Sequence, residues 1–143
     1  MNEDFLICIK GRMDQQGERD EIELMTHGSF VQRGNHYFIT YKETETTGYA
    51  GCTTTIKAAL DGSRVTMIRF GAASSQLVIE KGVRHVCHYE TGHGSITLGV
   101  AADSIQSQLG QDGGELEFTY TLDADQDKVL SSNHVQIIVK RVA

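Results

Sequence analysis

The stretch ELEFTYTL, residues 115–122, constrains the fold more than any other feature of the chain. Leu116, Phe118, Tyr120 and Leu122 alternate with Glu115, Glu117, Thr119 and Thr121. Side chains alternate across a strand, so a period of two means one buried face and one wet face. The same rhythm recurs from end to end. EIELMT sets Ile22 and Leu24 against Glu21 and Glu23, and GSITLGV sets Ile96, Leu98 and Val100 against Ser95, Thr97 and Gly99. HVQIIVKR places Val135, Ile137 and Val139 opposite His134, Gln136 and Lys140. Weaker runs agree: Phe5, Ile7 and Ile9 in DFLICIKGRM, Leu77 and Ile79 in SQLVIEK, and Val65, Met67 and Arg69 in SRVTMIRF. HYFITYKE is aromatic and β-branched on both faces, as a strand covered on both sides would be.

Turn signals punctuate these runs: Gly34-Asn35, Asp61-Gly62, Gly71, Lys81-Gly82, Gly92-His93-Gly94 and Asp112-Gly113-Gly114. Such pairs supply the positive φ that tight hairpins need. The count is nine or ten strands. Hairpin after hairpin without a long crossover predicts an all-β fold, a single antiparallel up-and-down β-barrel of eight to ten strands, because closure removes exposed edges. Only AADSIQSQLGQ is spaced as a helix would be, through Ile105 and Leu109. At 143 residues the chain is expected to be one domain over 1–143, burying roughly 70% of its unfolded surface.

Several classes of function are disfavoured. No run approaches the ~20 apolar residues of a membrane helix. The start MNEDFLICIKGRM carries acids where a secretory leader has a basic segment. Cys8, Cys52 and Cys87 are three scattered residues with no CxxC pair, the pattern of reduced core thiols. A cytoplasmic location without membrane association is therefore expected. The net charge of −6 comes with no basic run, so nucleic acid, which is bound through clustered cations, is not an expected partner.

Read in order, EIELMTHGSF, YFITYKET, TTTIKAALDGSRVTMIRFGAASSQLVIEKG, YETGHGSITLGV, SIQSQL, GGELEFTYTL and SNHVQIIVK resemble the YwiB-like family of small bacterial proteins, from about residue 18 onward. The short motifs are degenerate, and their order and spacing carry the likeness. The resemblance implies a calycin-type, lipocalin-like barrel in a bacterial cytoplasm, with no established activity and no catalytic set to carry over. The chain has no tryptophan, so the Gly-x-Trp signature of secreted lipocalins is missing. The Arg-x-Tyr clamp of the fatty-acid-binding proteins is missing too. A calycin-like shape by itself does not argue for lipid binding.

RHVCHYETGHG, residues 84–94, raises the question of a metal. A zinc site needs three or four ligands. In strand phase His85 and Cys87 share one face with Tyr89, while Arg84, Val86 and His88 share the other, and His93 falls in the turn. Spacing gives no reason for Cys8, Cys52 or His27 to complete a set, so neither metal nor other cofactor is expected. Arg69 is more informative. It is in phase with Val65 and Met67, and a buried cation needs a counter-charge. Glu43, in phase with Tyr37, Ile39 and Tyr41, is the natural one. Such a pair either plugs the barrel mouth or serves, with Tyr41, Tyr89 and Tyr120, as a clamp for a carboxylate or phosphate. Thr53 or Thr55 of GCTTTIKAAL is expected to hydrogen-bond into the barrel. Gly99, Ala58, Ala59, Ala72 and Ala73 are small residues that would leave room for a cavity. No GxSxG elbow, phosphate loop or dinucleotide fingerprint is present. Paired carboxylates would have to come from Glu43, Glu80 or Glu90, so catalysis is left open and unsupported.

Two readings follow. One is a binding module for a small amphipathic or anionic ligand, held by Arg69, Glu43, Tyr41, Tyr89 and Tyr120. The other is a filled barrel acting as an interaction or scaffolding protein through its outer surface or as a homodimer, with HYFITY as the seam.

Overall fold

The alternating runs become ten strands: β1 (Phe5–Gln15), β2 (Glu18–Arg33), β3 (His36–Lys42), β4 (Cys52–Ala59), β5 (Arg64–Gly71), β6 (Ser75–Glu80), β7 (Arg84–Thr91), β8 (Gly94–Gly110), β9 (Gly113–Asp123) and β10 (Val129–Arg141). The computed structural model describes residues 4–47, 49–71, 74–91, 94–125 and 128–142, with residues 89–91 described by backbone alone. Each strand pairs antiparallel with its neighbours in sequence, and β1 closes the circle on β10. The result is the expected up-and-down barrel, at the upper end of the expected strand number.

Local sequence explains the hairpins. The β1–β2 loop is only Gln16 and Gly17, both at positive φ (51° and 84°). That is the geometry of a type I′ turn, whose twist matches the flanking strands. Gly28 of β2 is required for a different reason. A Cβ there would collide with the Thr40 carbonyl oxygen and with the Ile7 side chain. Only glycine lets β1 and β3 approach so closely at this point.

Burial follows parity. Along β3, Tyr37, Ile39 and Tyr41 are buried while His36, Phe38 and Thr40 are half-buried on the outer face. HYFITY is thus not covered on both sides. Phe38 sits between the His36 ring, 6.4 Å away, and the Lys57 ammonium, 5.9 Å away. Inside, Tyr37 stacks on Phe30 at 5.1 Å and Phe5 meets Phe30 edge-on at 5.3 Å. Ile7, Ile39, Ile56, Phe118 and Ile137 are fully buried in the same core. The residue types explain this: β-branched and aromatic side chains suit a pleated, half-buried surface.

AADSIQSQLGQ departs from its helical spacing, and all of it but the last residue, Gln111, lies within the 17-residue strand β8. A bulge between Ala102 and Ser104 leaves Asp103 outside the ladder to β9. The inward positions switch from Val100 and Ala102 to Ile105 and Leu109, so the extra residue reverses parity.

One join in the wall is thin. Among the described residues, β6 and β7 are paired only at Ser75↔Tyr89 and at the bridge Glu80↔Val83.

Candidate ligand-binding site

Register brings the site together. Across β3, β4, β5 and β6, Tyr41 pairs with Thr54, Thr54 with Arg69 and Arg69 with Ser75. Four residues away along these strands, the corresponding positions are Tyr37, Ala58, Val65 and Ile79, three of them apolar and the fourth a stacked tyrosine. The barrel is therefore packed at one end and polar at the other.

At the polar end Arg69 and Glu43 form an ion pair, Nη2 to Oε2 at 3.3 Å. The Glu43 side chain is 2% exposed and that of Arg69 15%. Thr54 donates its hydroxyl to Glu43 Oε2 at 2.7 Å, and Thr47 donates to Oε1 at 3.1 Å. A buried carboxylate is costly unless paired and hydrogen-bonded, and Glu43 has both. The Arg69 guanidinium lies 3.7 Å from the centre of the Tyr49 ring, a cation–π contact that favours Arg over Lys. Thr47 ends a single 3-10 turn, Glu45–Thr47, in the β3–β4 connection. Thr47 on Glu43 and Tyr49 on Arg69 bring described residues of that connection to the polar end of the barrel.

Tyr41 hydrogen-bonds Thr54. Burial, and then the nearby Glu43 carboxylate, push its hydroxyl well above the ordinary phenol range, so it stays protonated and able to donate. Beside this cluster is a cavity of about 250 Å³. Its polar wall includes Tyr41, Glu43, Arg69, Tyr120 and Asn133, and its apolar wall includes Ile9, Leu24, Ile56, Leu77 and Ile137. Of the five expected site residues, Arg69, Glu43, Tyr41 and Tyr120 line one space. Tyr89 lies at the same end of β7 by its pairing with Ser75, but its side chain lies outside the described residues.

Other expectations are corrected. The inward threonine is Thr54; Thr53 and Thr55 face outward, where Thr55 meets Thr40 at 3.0 Å. A signal for this was present, because Cys52, Ile56 and Ala58 share the parity of Thr54. Thr47 and Tyr49 carry no signal in the sequence, because they belong to a connection, where no period applies. The described small residues do not line the cavity, and Ala59 takes an outward position on β4. Ala58 is packed in the core at the far end, and Ala72 and Ala73 lie outside the described residues. Gly99 faces outward beneath Arg84: a Cβ there would run into the guanidinium, which bonds Asp123 on β9 at 3.1 Å.

The histidines also disperse. Cys87 is buried in the core and its Sγ accepts the Val78 N–H at 3.5 Å. His85 instead bonds Glu80 at 3.0 Å, and His93 lies outside the described residues. Among the described residues, no three His, Cys, Asp or Glu side chains are grouped to hold a metal ion. Glu80 is held by Arg64 and His85, away from Glu43, so these two carboxylates form no acid–base pair. The side chain of Glu90 lies outside the described residues. Nor is any helix long and apolar enough to cross a membrane, among the described residues.

Comparison with known proteins adds three findings. The family model "Domain of unknown function (DUF1934)" matches residues 7–137. The uncharacterized beta-barrel protein YwiB of Bacillus subtilis (strain 168) is 25% identical over 114 residues, covering 80% of this chain and 78% of that one. The crystal structure of the ywiB protein from Bacillus subtilis superposes with a TM-score of 0.82 at 20% identity, covering 97% of this chain and 92% of the other.

Proposed function

We propose, from the premise that this chain belongs to the DUF1934 family, that it is a calycin-like binding barrel for one small amphipathic or anionic molecule. The observation that carries this reading is the 250 Å³ cavity at the Arg69 end of an otherwise filled barrel. A barrel near this size stands between a side-chain-filled core and a hold for one ligand. The cavity has the makings of a binding site: mostly apolar walls with a few convergent polar groups. Its volume, at ~30 Å³ per water, equals about eight waters, which suits a short chain or a single ring.

Arg69 is the more exposed member of its pair and would meet the polar group of the ligand. Tyr41 and Tyr120 would orient that group, and Ile9, Ile56 and Ile137 would receive the apolar part. Because Glu43 neutralises much of the Arg69 charge, affinity for an anion rests on hydrogen bonding as well as charge.

The outer wall supports a cytoplasmic setting for such a barrel. It carries the ion pairs Arg64–Glu80 and Arg84–Asp123 and a His134–Glu117 hydrogen bond, whereas a membrane barrel is apolar outside and polar inside. The scaffolding reading has less support. It requires a filled interior, and in the HYFITY segment Tyr37 points into the core, leaving only Phe38 for a seam.

Native mass spectrometry of gently purified protein, followed by calorimetric titration with hexanoate, hexanol and hexylamine, tests the proposal. A guest mass lost on denaturation, or binding in the order hexanoate, hexanol, hexylamine, is expected. A bare mass together with no heat from any of the three would overturn it.

A further inference from the structure

We infer that the seam between β6 and β7 is the lateral entrance to the cavity, taken by an amphipathic ligand apolar end first, its polar end stopping at Arg69 and Ser75 in the wall. This deepens the binding reading and rests on it for the ligand.

Three observations converge on the seam. The first is the ladder itself, which among the described residues has pairings only at its two ends, Ser75↔Tyr89 and Glu80↔Val83. β5 and β6, by contrast, pair over six consecutive residues. Second, between those ends the Val78 N–H is met by the Cys87 thiol, at 3.5 Å. A thiol is a weak acceptor, so opening the seam here breaks less than opening any full ladder in the wall. Third, a groove of about 510 Å³ lies on the outer face over this seam, with Ser75, Gln76 and Val78 on one bank and Val86, Cys87 and His88 on the other. Ile68, Arg69 and Ser75 line both this groove and the interior cavity. Those three residues are the wall that the groove and the cavity have in common.

The chemistry along the route is graded. Its outer rim carries Ser75, Gln76, His88 and Ser95, and its inner end is the apolar wall of Leu77 and Ile137. A molecule with one polar and one apolar end therefore has a single favourable orientation. Its apolar part reaches the cavity, and its polar part stays within reach of Arg69 and the rim.

The route can be tested without a bound ligand. Ile137→Cys places a thiol on the cavity wall across the barrel from the seam. Leu24→Cys is a second reporter should the first destabilise the fold. Both are made with Cys87→Ala, which removes the seam's own thiol without giving the Val78 N–H a stronger acceptor. Labelling by methyl methanethiosulfonate, followed by peptide mass spectrometry, reads how fast the interior is reached. Val86→Trp then fills the groove from a side chain that is 63% exposed and does not line the cavity. Labelling of Ile137→Cys or Leu24→Cys should slow at least tenfold, while buried native Cys52 keeps its rate. An unchanged rate at both reporters overturns the entrance. Equal slowing at Cys52 also overturns it, because the reagent would then be entering by general opening of the barrel. Failure of the hexanoate, hexanol and hexylamine titrations would remove the binding reading without altering this result.

Discussion

At Arg69 and Glu43, two charges are held where neither is tolerated alone. Removing one member of a buried pair typically costs about 3–5 kcal/mol, because the charge left behind has lost its partner, whereas replacing both is often neutral. Arg69→Met is therefore expected to destabilise by about 3 kcal/mol, even though Thr47 and Thr54 still donate to Glu43. The double replacement Arg69→Met with Glu43→Gln should recover at least half of that. Urea unfolding of the four members of the cycle checks this, and simple additivity would mean that the pair is not coupled. The double variant also separates roles, because a barrel that folds normally yet fails to bind hexanoate has lost the clamp and not the plug. Much of this site was legible in the sequence. Arg69, Glu43, Tyr41 and Tyr120 each interrupt an apolar face at a fixed parity, and a polar residue in an inward phase must find a partner. Thr54 was less legible because three threonines in a row hide their own phase.

At the scale of strands, the missing signals are those where a period breaks. β8 reads poorly because the Asp103 bulge reverses its parity and because Ser107 takes an inward position between Ile105 and Leu109. Gly99 reads as space in a core when it is a bed for an arginine. The clasp it permits ties β7 to β9 across β8, and this gives a pH prediction. The hydrogen-bonded Arg84 guanidinium is the main cause that holds the Asp123 carboxyl below its usual value, against the opposing effect of burial. A group depressed in the folded state takes up its proton first in the unfolded chain, so its contribution is present above pH ~4 and is lost as the pH falls through the folded value. Asp123→Asn should lower stability at pH 7 and flatten the acid limb below pH ~4. Denaturant midpoints of the two proteins at pH 7, 4 and 3 would converge as the pH drops. A constant gap across that range would mean that the clasp carries no charge-dependent stability.

Across the whole molecule, the barrel is closed by its most distant partners in sequence. β1 and β10 pair from Phe5↔Arg141 to Asp14↔Ser132, and the Val142 N–H donates to the Asp4 carbonyl at 2.8 Å. Closure of this kind is what repeated hairpins imply once no strand is left with a free edge, and so the barrel was legible where its seam was not. Alternation tells which side chains face inward, but it is blind to the distance between two neighbouring backbones. The same closure makes the position of the chain ends arbitrary. A linker of about five residues spans neighbouring strand ends easily at ~3.4 Å per residue. Joining residue 142 to residue 4 and reopening the chain between Asp61 and Gly62, an exposed turn at the packed end of β4 and β5, preserves every ladder. Surface turns are where such cuts succeed. This permutant should fold with a denaturation slope equal to the parent's and a loss of no more than about 2 kcal/mol. Reopening between Gln136 and Ile137 instead cuts a strand paired on both sides and should abolish cooperative unfolding. Equal stability of the two permutants would show that the β1–β10 ladder does not hold the barrel closed.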